Sequence, residues 1–369
     1  MVVTRSLPPI ERSLPLLAPR FHDRPAPVPP LSIAPMMEKT DRHYRYFIRQ
    51  ISRHILLYTE MITTGAIAHG HRDYLLAFEP IEHPISLQLG GDDPEELYQA
   101  IRIASDYGYD EYNINIGCPS DRVQNANFGA CLMADPPRVR ELVAAMKAAT
   151  EQPVTVKHRI GIDGRESYEE LREFVAVVNE QRPDRFTVHA RIAILGGLSP
   201  KENRNIPPIR YEDVYRLKRE LPELRIEING HIKTPDEIAH HLQYVDGVMI
   251  GRAAYDDPWM LASVDERFFR AKADDPRLFE ARGVSGAVFE PPTRARVIET
   301  MREYIDRWAA AGWPDRNILR HMLGLFGGVP GTRKFKQRLS VPIAMGTGAR
   351  ALAEAAAHIP DEFLHARPE

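Results

Sequence analysis

Cysteine is nearly absent from this chain. Two residues in 369, Cys118 and Cys131, are too few to staple a domain this large, and their spacing matches no zinc site. A disulfide-framed secreted fold is therefore excluded, and a reducing, cytoplasmic compartment is expected. Long apolar runs are missing too: none approaches the roughly 20 residues that span a bilayer, so no membrane partner is expected. Neither sign of charge dominates, with 48 basic against 51 acidic residues and a net charge of −3. Any nucleic-acid surface must then be local. No His/Cys/Asp/Glu cluster has metal-ligand spacing, so no metal is expected.

What the chain does contain is a repeating β-type pattern. Eight short runs follow one another: LSIAPMM (31–37), LLYTEM (56–61), PISLQL (84–89), EYNINIGC (111–118), VTVKHR (154–159), RFTVHA (185–190), RIEING (225–230) and GVMIGR (247–252). Stretches with apolar residues at helical spacing separate most of them, such as 94–108 and 136–150. Strands alternating with helices pair in parallel through right-handed crossovers, and eight such units fit a (β/α)8 TIM barrel. A doubly wound open sheet is the rival, weakened by the count and by the lack of GxGxxG after the first strand.

The flanks read differently. Residues 1–30 hold eight prolines and four arginines without a continuous apolar stretch, and a disordered tail is expected there. The barrel is assigned to 31–265, a linker or surface excursion to 266–293, and a smaller all-helical domain to 294–360. Helical spacing is read over 294–311, 315–326 and 348–357.

In such a barrel, function collects at the C-terminal ends of the strands. Those ends carry Pro35, Met36, Met37, Gln88, Asn113, Asn115, Cys118, Lys157, Arg159, His189, Arg191, Asn229, Gly230, Gly251 and Arg252. The rim is polar, partly cationic and almost free of carboxylates. It lacks the acid pair of a glycosidase and suits an anion attached to a flat polar ring. Gly230 and Gly251-Arg252 stand where a barrel often holds phosphate, and Gln88, Lys157 and Asn115 are placed to face a ring. Plainer readings stand beside these: Met36 and Met37 as core filler, His189 as a satisfied core histidine, Cys118 as a small buried hydrophobe. Lys157 resists a plain reading, because an unpaired ammonium inside an apolar strand is costly. Cys118 sits between Gly117 and Pro119, which fix a turn at the catalytic face, whereas Cys131 lies in apolar ACLM.

The segments APMM (34–37), QLGG (88–91), NINIGCPSDRVQNANFGACLM (113–133), VKHRIGID (156–163), VHAR (188–191), GLSPKENRNIPPI (197–209), ING (228–230), DGVMIGRAAY (246–255) and RHMLGLFGGVPGTRKFKQRLS (320–340) together resemble the tRNA-dihydrouridine synthases. The likeness is closest to the bacterial-type A subgroup, which acts on D-loop uridines, and covers about residues 31–340. It implies an FMN-binding barrel followed by a helical domain that grips tRNA, with NADPH as reductant. By position, Pro35, Met36, Met37, Gln88, Lys157, His189, Asn229, Gly230, His231, Gly251 and Arg252 would contact FMN. Cys118 would give a proton to C5 of a uracil that receives hydride at C6. Asn115, Glu202, Asn205, Arg333 and Lys336 would lie against the RNA. Two positions depart from the pattern: His231 replaces the usual second glycine, and Asn205 stands where an acid is common. The loop from Asp121 to Gly129 is expected to act as a lid.

Residues 291–340 hold ten Lys/Arg and four Asp/Glu, a local +6. The cluster Arg333, Lys334, Lys336, Arg338 with Phe335 between is expected to form a phosphate-gripping strip; the plain alternative is a solvated helix face. An FMN barrel dehydrogenase acting on a free pyrimidine would share the barrel and the cysteine but would not need this basic appendix. A monomer is the default with so bulky a partner.

Overall fold

Nine parallel strands form a single sheet in the computed structural model, which describes residues 28–269 and 292–368. They are β1 (Leu31–Ile33), β2 (Leu57–Tyr58), β3 (Ile62–Thr63), β4 (Ile85–Gly90), β5 (Glu111–Ile116), β6 (Val154–Arg159), β7 (Arg185–His189), β8 (Ile226–Asn229) and β9 (Gly247–Ile250). Their order is β1-β9-β8-β7-β6-β5-β4-β2, and β3 also pairs with β4. Leu56 closes the ring against β1: Ile33 N–H donates to its carbonyl at 2.9 Å, and its own N–H donates to Leu31 O at 3.2 Å. β2 and β3 are thus two pieces of one stave, and the eight staves of a TIM barrel follow. The run 56–61, read as one strand, is interrupted at Thr59–Met61. There the Gln88 N–H donates to the Thr59 hydroxyl at 3.1 Å instead of to a backbone carbonyl.

The crossover helices start where side chains can take the free N–H groups of a first turn. Asp93 caps Pro94–Ala104 through Glu96 N, and Ser167 and Thr234 build reciprocal capping boxes with Glu170 and Glu237. The barrel interior near the strand starts is charged rather than greasy. Arg185 lies 2.8 Å from Glu111 and 3.5 Å from Glu227, all three almost solvent-free. Glu111 also accepts from Tyr58, Ser86 and Thr155, and Glu227 from Ser32 and Thr187. Every carboxylate oxygen has a donor, which is what makes such burial tolerable.

Helices Arg294–Ala310, Arg316–Leu319, Thr332–Ser340, Gly348–Ala356 and Asp361–His365 follow the barrel. Within 315–326 only Arg316–Leu319 is helical, because Gly324 must press against the barrel: a Cβ there would stand 2.5 Å from Asp256 O and 2.7 Å from Pro258. Helix Arg42–Arg49 is the platform for this bundle. Its N-cap Asp41 also holds Arg320 at 2.5 Å and His321 at 3.0 Å, His43 meets the Tyr304 hydroxyl at 2.9 Å, and Tyr46 stacks on Tyr304. Residues 264–269 form a short helix. The expected tail up to residue 27, and 270–291 of the expected linker, lie outside the described residues. Among the described residues no helix is long and apolar enough to cross a membrane, and no group of three or more His/Cys/Asp/Glu could hold a metal.

Candidate active site

Asn115, the penultimate residue of β5, organises the mouth of the barrel. Its Oδ1 accepts the N–H groups of Gly117 and Cys118, both at 2.9 Å, and its Nδ2 donates to Gln88 Oε1 at 2.9 Å. The strand's own side chain therefore hangs the thiol-bearing turn, the local capping that Asn favours. Gln88 in turn donates to Asn113 at 2.8 Å, and Asn113 to Thr155 at 2.8 Å, so the amides are locked in one chain of bonds. Arg159 Nε donates to Gly117 O at 2.9 Å, and Ala130 N–H donates to Cys118 O at 2.9 Å. Cys118 is half-buried, with Sγ 3.5 Å from the Ser120 hydroxyl.

The segment after it is folded onto the rim. Helix Asp121–Gln124 is tied by Gln124, which donates to Pro119 O and Leu195 O, and Val123 and Phe128 are buried. Gly129 has φ +82, and a Cβ on it would come within 2.7 Å of Cys118 O and 2.5 Å of Val123. The Cys131 thiol donates to Phe128 O at 3.2 Å, and burial pushes it up.

Lys157 Nζ donates to Asn229 Oδ1 at 3.3 Å, and Asn229 donates to Met249 O at 2.8 Å. Burial, with Arg159 adding to it, lowers the Lys157 ammonium to about 8. His189 is held well below the usual histidine range by burial and by Arg159, Lys157, Arg191 and Arg252, so its ring is neutral. Arg159 is lowered to about 10, mainly by burial. Its Nη1 donates to Ile192 O and Asn203 O, while Arg191 donates to Asn205 O and Pro207 O. Arg252 donates to Asn205 Oδ1 at 3.0 Å and to Arg204 O at 3.3 Å. Among the described residues, none of Lys157, Arg159, Arg191, Arg204 and Arg252 is ion-paired with a carboxylate. The mouth gathers unneutralised cations in a chain of net charge −3, an arrangement made to receive anions.

Residues 32–359 match the model of the dihydrouridine synthase family. The chain belongs to that family. It is 54% identical to the tRNA-dihydrouridine(20/20a) synthase of Synechocystis over 311 residues, 84% of this chain and 88% of that protein. Identity to the Pseudomonas aeruginosa protein of the same name is 52% over 312 residues, 85% and 89% of the two chains. To that of Vibrio parahaemolyticus it is 49% over 335 residues, 90% and 98% of the two.

Within this dihydrouridine synthase barrel, Gln88, Asn115, Cys118, Lys157, His189 and Asn229 come together. Pro35, Met36 and Met37 follow β1 beside Gly251, whose Cβ would find only ordinary contacts with Ala34 and Met36; Met37 is exposed. Glu202 is exposed and accepts from Ser199, on the loop that also carries Asn205. His231 has φ +56, the left-handed region that costs a non-glycine residue about 1–2 kcal/mol, which is why glycine suits this position. Arg333 and Lys336 stand apart, exposed on Thr332–Ser340. The expected strip there is smaller than its sequence: Phe335 is buried against Phe326, and Arg338 pairs with Glu354 at 2.6 Å. Sequence reasoning missed Asn203, whose buried amide fastens Ile194 and Leu198, and Tyr211, whose hydroxyl donates to Gly230 O at 2.6 Å. Both act through backbone partners, which leave no mark in composition.

Proposed function

We propose that the protein reduces uridine to 5,6-dihydrouridine in the D-loop of tRNA, at positions 20 and 20a as its relatives' names state, with FMN as bound cofactor and NADPH as reductant. The observation that carries this reading is a fixed thiol beside a cation-lined barrel mouth almost free of carboxylates, in a chain of this family. The residues present fit a phosphorylated flat ring. Pro35, Met36, Met37, Gln88, Lys157, His189, Asn229, Gly230, His231, Gly251 and Arg252 would hold it: amides and one ammonium for the ring, and Arg252 with the strand-end backbone for the phosphate. Bound FMN supplies the hydride that enters the uracil at C6.

The chain's own work is positioning and proton transfer. Asn115 spends one of its two N–H donors on Gln88, leaving the other for the base. Lys157 and the neutral His189 ring donate toward the uracil oxygen on which negative charge develops, in a site where such donors act strongly. Cys118 delivers its proton to C5. The target base must leave its stack to arrive there, at a cost of about a few kcal/mol. Glu202, Asn205, Arg333 and Lys336 meet the RNA outside the mouth. A reducing cytoplasm suits the two free thiols.

The test is Cys118→Ala. The variant keeps bound yellow flavin and NADPH oxidation but forms no dihydrouridine in tRNA transcripts; wild-type product levels would remove Cys118 as the acid. A purified wild-type protein that neither carries nor takes up flavin would sink the cofactor reading.

A further inference from the structure

Arg191, two residues beyond the end of β7, is only 7% exposed. Its guanidinium is half used. Nη1 goes to the backbone carbonyls of Asn205 and Pro207, while Nε is buried with no hydrogen-bond partner among the described residues. No carboxylate pairs with it there. Burial sets Arg191 below the ordinary arginine value, the Tyr211 phenol partly offsets this, and the charge of Arg252 adds to the lowering. An orphaned donor on a buried, uncompensated cation costs free energy unless an anion arrives to use it.

The surroundings say which anion. β7 and β9 flank β8 in the sheet, so Arg191 and Arg252 stand on either side of the Gly230 turn. The ends of the last two staves are where such barrels bind phosphate. A guanidinium fork with a free Nε matches the paired oxygens of a phosphate monoester, and two such forks match its double charge.

We propose that Arg191 is a second anchor for the phosphate of the bound flavin, gripping it together with Arg252 across the Gly230 turn. The proposal rests on the flavin reading above. It has a corollary for the neighbouring loop. Arg191 holds Asn205 O and Pro207 O, and Arg252 holds Arg204 O and the Asn205 side chain. The two cations that take the phosphate also hold the Arg204–Pro207 stretch, so cofactor loading and the placement of this loop are one event.

The experiment uses full-length protein freed of flavin and follows the quenching of flavin fluorescence on titration with FMN and, separately, riboflavin, which differ by the phosphate alone. Arg191→Met is expected to weaken FMN by about tenfold to a hundredfold and to leave riboflavin affinity unchanged, which also shows that the ring site is still folded. Arg191→Lys, keeping charge without the fork, falls between. Inorganic phosphate displaces FMN from the wild type, and it does so at higher concentration in Arg191→Met when compared at equal flavin saturation. Equal weakening of both flavins would overturn the proposal in favour of a loop-holding role. Unchanged FMN affinity with weakened tRNA binding would overturn it in favour of an RNA phosphodiester, and no change in either would overturn it outright. A wild type that binds neither flavin removes the cofactor reading itself, a result distinct from all of these.

Discussion

Lys157 shows what a single buried charge does to pH dependence. Its ammonium is lowered to about 8 by burial and by Arg159, against about 10.4 in an unfolded chain. Below about pH 8 both states are protonated, and the fold bears the full cost of the buried charge. Between about 8 and 10 the unfolded chain binds more protons, so this group's contribution to stability improves as pH rises. Under the proposed mechanism activity runs the other way, because the proton that Lys157 would offer to the developing uracil charge is lost above about pH 8. The kcat/KM profile on tRNA transcripts is expected to fall as pH rises past about 8, and Lys157→Gln to lower the plateau by about a hundredfold and shift that descending limb. A limb unchanged in the variant would assign it to another group. Cys118 and Lys157 were legible in the sequence because each breaks a local rule: a thiol fixed between Gly and Pro, and an ammonium inside an apolar strand. Arg191 was placed on the rim by its strand-end position, but its role was not legible, since that depends on carbonyls of Asn205 and Pro207 in another segment.

At the scale of elements, the strand-end turn at Gly117–Cys118 depends on two others: Asn115 holds it from within β5, and the Gly129–Ala130 backbone supports it from behind. Gly129→Ala places a methyl against Cys118 O and Val123 at a backbone angle that favours glycine. The expected outcome is a less stable but still folded, flavin-loaded protein whose dihydrouridine formation falls by about tenfold or more, as small misplacements of a reacting group do; tRNA product mapped beside flavin content checks it. Full turnover would mean that the turn tolerates the shift. The strands were readable because alternation and length survive in sequence. The break between β2 and β3 was not, because Thr59 replaces a backbone acceptor with a hydroxyl in a run that still looks continuous. The helix expected over 315–326 failed for a related reason: Gly324 answers to Asp256 and Pro258 on the barrel, not to its neighbours in sequence.

For the whole molecule, the helical appendix was predicted from spacing and charge, but its attachment was not. Asp41, His43 and Tyr46, on and before one early helix, hold Arg320, His321 and Tyr304, some 260–280 positions away in the chain. With Arg338 committed to Glu354, the proposed outer RNA contact falls to Arg333 and Lys336. Replacing both by Ala is expected to weaken tRNA binding several-fold at moderate salt and to reduce the slope of log affinity against log salt by about one to two units. An unchanged slope would move the RNA surface elsewhere, while an intact flavin spectrum confirms that the barrel is undisturbed.

The unpaired cations at the mouth have one more consequence, felt before any contact forms. A chain of net charge −3 that crowds Lys157, Arg159, Arg191, Arg204 and Arg252 at one end of its barrel carries a local positive field there. A polyanion drifting nearby turns it mouth-first, so these side chains act on the frequency of productive collisions as well as on the lifetime of the complex.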